Sequence, residues 1–151
     1  MVVSSARASF GVSDAASPAE APAVASAALQ VLWADLAWFD IDLTGLLDAA
    51  ETADAASALR EYRSRKWMGR GLSENVRLYP GRNDDVLPAA QALVGRTIGS
   101  SGYAEPDRLI FDANDEGTSC WFELTEDQAA DVVATLSRSG HASTLLVRAA
   151  R

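Results

Sequence analysis

The sequence predicts an α+β fold in a single domain: a mixed β-sheet packed with helices, ending in a β-hairpin–α–β unit. Three observations carry this. The last third, Arg108 to Ala149, reads strand, tight turn, strand, helix, strand. Upstream, β-type alternation at Trp38–Thr44 is interleaved with helical spacing at Leu29, Leu32, Trp33 and Leu36. The 151 residues, 48% hydrophobic and 23% charged, fit one globular domain.

Residues 1–24 are mostly Ala, Ser and Pro and read as a flexible tail, leaving 25–151 as the domain. From Ala25 to Ala37 helical spacing competes with a Val31/Trp33 alternation, and the Ala and Leu content favours helix. Phe39, Ile41 and Leu43 alternate with Asp40, Asp42 and Thr44, the pattern of a half-buried strand. Ala55 to Met68 is expected as a helix with Asp54 as its cap, stopped by Gly69 and Gly71. Asn75 to Tyr79 follows as a strand closed by Pro80-Gly81. A helix from Val86 to Val94 can be capped by Asp85, with Pro88 tolerated in its first turn. Gly95 to Pro106, rich in Gly and Ser, reads as a loop.

Local signals are densest in the C-terminal third. Arg108–Ala113 and Thr118–Leu124 are β-rich and joined by Asn114-Asp115-Glu116-Gly117. A four-residue loop here pairs Ala113 with Thr118, Phe111 with Cys120 and Leu109 with Phe122, and sets Arg108 opposite Glu123. Thr125 and Gln128 have capping-box spacing ahead of a stripe at Ala129, Val132, Val133 and Leu136, and Gly140 ends the helix. Leu145-Leu146-Val147 in a row predicts a strand, Ser143–Ala149, buried on both faces and reached by a parallel crossover.

Net charge is −8, unevenly spread. Ala8–Leu59 holds eight acids and no Lys or Arg, Arg60–Arg82 seven bases and two acids, and Asn83–Asp131 eleven acids and two bases. This balance argues against broad nucleic-acid or anionic-membrane binding and suits a protein partner with a basic surface. No apolar run approaches the roughly 18 residues of a membrane span. One cysteine, Cys120, forms no internal disulfide, so the cytoplasm is the expected compartment.

The leading expectation is therefore a small acidic protein-binding module, of inhibitor, immunity or adaptor type, rather than an enzyme. Its binding residues would be Asp35, Asp40, Asp42 and Asp48, with no cofactor or metal. A second candidate face is the basic segment with Arg60, Arg63, Lys66 and Trp67. A third is a small-molecule pocket lined by Trp33, Trp38 and Trp67.

The stretch Leu36-Ala37-Trp38-Phe39-Asp40-Ile41-Asp42-Leu43-Thr44, an apolar strand followed by Asp-x-Asp-x-Thr, resembles the first motif of haloacid dehalogenase-like phosphotransferases. The resemblance implies Asp40 as nucleophile, Asp42 as general acid/base and a bound Mg²⁺. It covers about nine residues. The further Ser/Thr, basic and acidic motifs do not follow in that family's order, since Asp84-Asp85 precedes Ser100. Asp112-x-Asn114-x-Glu116-Gly117 with Glu123 has calcium-loop spacing, but β-type sequence flanks it where such loops have helices. Gly99-Ser100-Ser101-Gly102 lacks the Lys of a phosphate-binding loop, and His141 has no nucleophile nearby in sequence.

Overall fold

A computed structural model describes residues 6–65 and 72–150. The chain runs β1 (Ala8–Val12), α1 (Glu20–Leu32), β2 (Trp38–Asp42), α2 (Ala53–Arg60), β3 (Arg63–Arg65), β4 (Leu72–Leu78), α3 (Leu87–Leu93), β5 (Gly99–Ala104), β6 (Arg108–Asn114), β7 (Ser119–Leu124), α4 (Glu126–Arg138) and β8 (Leu146–Arg148). The strands form one sheet in the order β3-β4-β2-β5-β6-β7-β1-β8. The fold is α+β, and every neighbouring pair of strands is antiparallel rather than mixed. The helices form one layer in the order α4-α1-α3-α2 over one face of the sheet.

Alternation in the strands decides which face that layer covers. In β2, Phe39 and Ile41 are buried while Trp38, Asp40 and Asp42 are half-exposed on the other side. The buried face carries a row in register across six strands: Leu78, Phe39, Gly102, Phe111, Phe122 and Phe10. Gly102 is the gap that allows the Phe39 and Phe111 rings to meet edge to face across β5, with centroids 5.7 Å apart. A Cβ at Gly102 would lie 2.9 Å from Leu36 Cδ2 and 3.2 Å from Phe111 Cβ. This explains the main departure from expectation in the middle of the chain. The Gly/Ser-rich stretch is a central strand, because its neighbours' side chains occupy the space that its own would need.

The N-terminal segment also departs from expectation. Residues 1–5 lie outside the described residues, but Ala8–Val12 is no tail: it is an inner strand between β7 and β8. Phe10 is buried beside Phe122, and Val24, within the expected tail, belongs to α1 and is fully buried. Insertion of β1 also alters the C-terminal unit. β7 and β8 are both antiparallel to β1, hence parallel to one another, so the β7-α4-β8 crossover straddles a strand from the other end of the chain. β8 is an edge strand with Val147 exposed, not a strand buried on both faces.

Other elements move by less. The α4 capping box forms as expected, with Thr125 and Gln128 bonding reciprocally. The hairpin is offset by two residues, pairing Ala113 with Cys120 and Phe111 with Phe122 around a loop at 115–118. An offset of two preserves each residue's face, so Phe111, Cys120 and Phe122 keep their expected inward side, but a bulge buries Ile110 and sets Leu109, expected inward, opposite Tyr103. The helix expected to run to Met68 ends at Arg60, and the chain turns into the edge strand β3. Among the described residues, no helix is long and apolar enough to cross a membrane.

Thermal melting tests the row at two positions. Phe10→Ala should cost about 3 kcal/mol, a fall of roughly 10 °C in Tm for a domain of this size, where a disordered tail would show none. Gly102→Val should destabilise by about 1–3 kcal/mol through overpacking against Leu36. Gly99→Ala, whose Cβ would meet its nearest neighbour at an ordinary 3.6 Å, should be neutral in the same melting experiment.

Candidate functional site

The uncovered sheet face holds two of the four acids expected to bind a partner. A second row in register runs Arg77, Asp40, Ser101, Asp112, Trp121 and Gly11 from β4 to β1. Asp40 is already engaged by its neighbour: Arg77 Nε and Nη2 donate to its two oxygens at 2.7 and 2.9 Å. That pairing raises the pKa of Arg77 further, and the guanidinium also sits 5.3 Å from the Trp38 ring, which stacks on Tyr103. Ser101 and Asn114 both donate to Asp112. Asp42, at the end of β2, accepts from the Thr44 N–H at 2.8 Å.

The four acids do not converge. Asp35 lies at the end of the sheet where β2 begins, held by Arg7 and Gln128 at 2.6 Å each. Asp42 is about 13 Å further along at the strand's far end, and Asp48 is exposed in the connection that follows. Among the described residues, no group of three or more His, Cys, Asp or Glu could hold a metal ion. Asp40 is paired, so β2 presents neither the free nucleophile nor the acid cluster that the phosphotransferase resemblance implies. The calcium-loop residues Asp112 and Asn114 are bonded to each other instead.

The tryptophans are kept apart by the sheet itself. Trp33 packs against Phe39 on the helix side and donates to Asp84 at 2.7 Å, while Trp38 lies on the uncovered face, so the two cannot line one pocket. Lys66 and Trp67 lie outside the described residues. Arg60 ends α2 and Arg63 is on β3, where it pairs with Glu74, so these two bases do not share a helix face. Ser100 is buried and bonded to the Ala113 carbonyl, which removes it from any phosphate cradle. His141 lines a small groove between α1 and α4.

What the fold does bring together are the connections beyond the C-terminal end of β2. A cleft of about 640 Å³ opens there, lined by Pro18 and Pro22 at the start of α1, Thr44, Leu46 and Glu51 after β2, Arg96 and Ile98 before β5, and Glu116 of the hairpin tip. Asp14 and Pro18 line a second hollow of about 350 Å³ that shares Glu116. Connections 13–19, 43–52, 94–98 and 115–118 carry five acids, Asp14, Asp48, Glu51, Asp115 and Glu116, against one base, Arg96. Arg96 pairs with Glu51 at 3.2 Å, an exposed contact worth little energy.

These walls are fixed. Two of the three buried polar side chains among the described residues serve them: Thr52 Oγ1 donates to the Leu46 carbonyl and Thr97 Oγ1 to the Asp42 carbonyl, each at 2.5 Å. A side chain at Gly95 would collide with Pro22, and one at Gly117 would lie 2.8 Å from the Gly95 carbonyl. The Glu116 N–H donates to the Thr97 carbonyl at 3.0 Å. Held this way, Asp115 and Glu116 both take left-handed backbone angles (φ 51° and 58°), a strain that only such surroundings sustain. Sequence reading missed Glu51, Arg96 and Glu116 as a set. Their only shared signal was a position beside turn residues, since they lie far apart in the chain.

Compared with known proteins, the chain matches no family model, no curated protein and no solved structure.

Cys120 tests the burial assigned to the hairpin. Desolvation, helped by the Asp112 charge, pushes its thiol from 9.0 up to about 11. Because the folded pKa is the higher, the neutral thiol's stabilising contribution is complete below pH 9.0 and is lost as pH rises toward about 11. A thiol reagent such as DTNB should therefore react slowly with folded protein at neutral pH and fast in denaturant. Equal rates in the two states would contradict the burial.

Proposed function

We propose that this protein is a binding module that receives a protein with a basic surface at its acidic end, where the connections after β1, β2 and α3 meet the tip of the β6–β7 hairpin. The observation that carries the reading is the excess of five exposed acids over one base on the connections around this cleft, two of which are tied down by buried threonine hydroxyls. Fixed walls matter because a preformed surface loses little conformational entropy on association. The charge matters because unpaired surface carboxylates attract a cationic partner at long range and orient its approach. Of the acids expected from the sequence, this surface retains Asp48. It replaces Asp35 and Asp40, whose carboxylates are committed to Arg7, Gln128 and Arg77, with Glu51, Asp115 and Glu116.

The experiment uses two proteins, the native chain and the variant Asp48→Asn/Glu51→Gln/Asp115→Asn/Glu116→Gln. Asn suits the left-handed backbone at 115, so the variant should fold. Both are immobilised at low ionic strength, proteins retained only by the native chain are identified, and their association rates are measured against salt. The expected partner is basic. Its association should slow steeply as the Debye length shortens from about 30 Å at 0.01 M salt to about 8 Å at physiological strength. The variant should associate about tenfold more slowly still. An acidic partner, a salt-independent rate, or equal rates for the two proteins would overturn the reading.

A further inference from the structure

We infer that the cleft between Glu51, Arg96 and Glu116 is the point at which the partner inserts one aliphatic cation, the side chain of a lysine or arginine. This rests on the binding-module reading and deepens it by naming the group that enters. The cleft's size of about 640 Å³ is ample for such a side chain. Its lining has two parts that match the two parts of the ligand. Leu46, Ala49, Pro18, Pro22 and the half-exposed Ile98 make an apolar wall suited to a methylene stem. Glu51 and Glu116 supply carboxylates for the charged head.

The two carboxylates are not equivalent. Glu51 already holds Arg96. Glu116 makes no ion pair with any described residue, and the strained backbone at 115–116 places it on the lining of the cleft. An arriving ammonium or guanidinium would therefore pair first with Glu116. Arg96 opposes it: as the one base on the lining among the described residues, it repels any cation and competes for Glu51. Removing Arg96 should strengthen binding, which damage to the fold would not do.

The test is a titration of the native chain with N-acetyl-arginine amide and N-acetyl-lysine amide, followed by amide shifts in NMR, with N-acetyl-norleucine amide as the uncharged control. Either cationic probe should give saturable shifts at Gly95, Arg96, Ile98 and Gly117, with an affinity on the order of millimolar. The norleucine control should give none. Glu116→Gln should weaken the cationic probe about threefold, the loss expected for one exposed ion pair. Arg96→Gln should tighten it, and saturating probe should slow capture of the basic partner. Absent or non-saturating shifts would overturn the inference. So would shifts of equal size at Asp84 and Asp85 on the opposite end, an affinity unchanged by Glu116→Gln, or probe binding that leaves partner capture untouched. Partner capture that depends on Asp48 while no probe binds would sink this inference alone. Probe binding in the cleft with no basic protein ever retained would sink the binding-module reading, and this inference with it.

Discussion

The side-chain row across the inner face of the sheet is the constraint on which the rest depends. Phe39, Phe111, Phe122 and Phe10 stand in register on four strands; Phe111 touches Phe122 directly, and Phe39 reaches Phe111 because β5, between them, offers Gly102 at that position. Large rings at every place in the row would force the helices away, and small residues at every place would leave voids. The row fixes the register of six strands at once, because a one-residue slip of any strand turns its ring toward water. It also explains why the N-terminal strand is structural. Without Phe10 the row stops at Phe122, and the edges of β7 and β8 that β1 now pairs are left open.

A single helical layer follows from the same alternation. Residues out of phase with the row form the opposite row, Arg77, Asp40, Ser101, Asp112 and Trp121, which is polar enough to meet solvent on an antiparallel sheet. Its charges are largely satisfied by their cross-strand neighbours. Asp40 is held by Arg77, and Asp112 by Ser101 and Asn114. A carboxylate bound in this way is a poor nucleophile and adds little to a long-range field.

The unsatisfied charge therefore collects where strands end. At the end of β2 nearest Asp42, four connections from distant parts of the chain are pressed together by contacts that tolerate no side chain at Gly95 or Gly117. Two buried threonine hydroxyls tie the same connections to backbone carbonyls. Close packing of backbone on backbone holds Asp115 and Glu116 in conformations that an isolated hairpin would avoid. A held backbone loses little entropy on association, and this distinguishes the position of Glu116 from that of Asp48, which is also exposed.

By itself the sequence determined what depends on residues close in the chain. The α4 capping box, the alternation of β2 and the inward side of Phe111 and Phe122 all rest on spacings of two to four residues, and all hold, whereas the bulge that buries Ile110 in place of Leu109 does not show in that spacing. Tertiary structure decided whatever depends on what lies next to a segment in space. Ala8–Val12 has little local signal and becomes a strand because β7 and β8 leave a slot that Phe10 fills. Gly99–Ala104 has the composition of a loop and becomes a central strand because Leu36 and Phe111 supply the bulk it lacks. Equal acids acquire different roles in the same way. Asp40 meets an arginine 37 residues away and is paired, while Glu116, anchored through its N–H to the Thr97 carbonyl, makes no ion pair with any described residue. A local pattern fixes which way a side chain points, but what it meets there depends on chain closure over long separations, which no local spacing encodes.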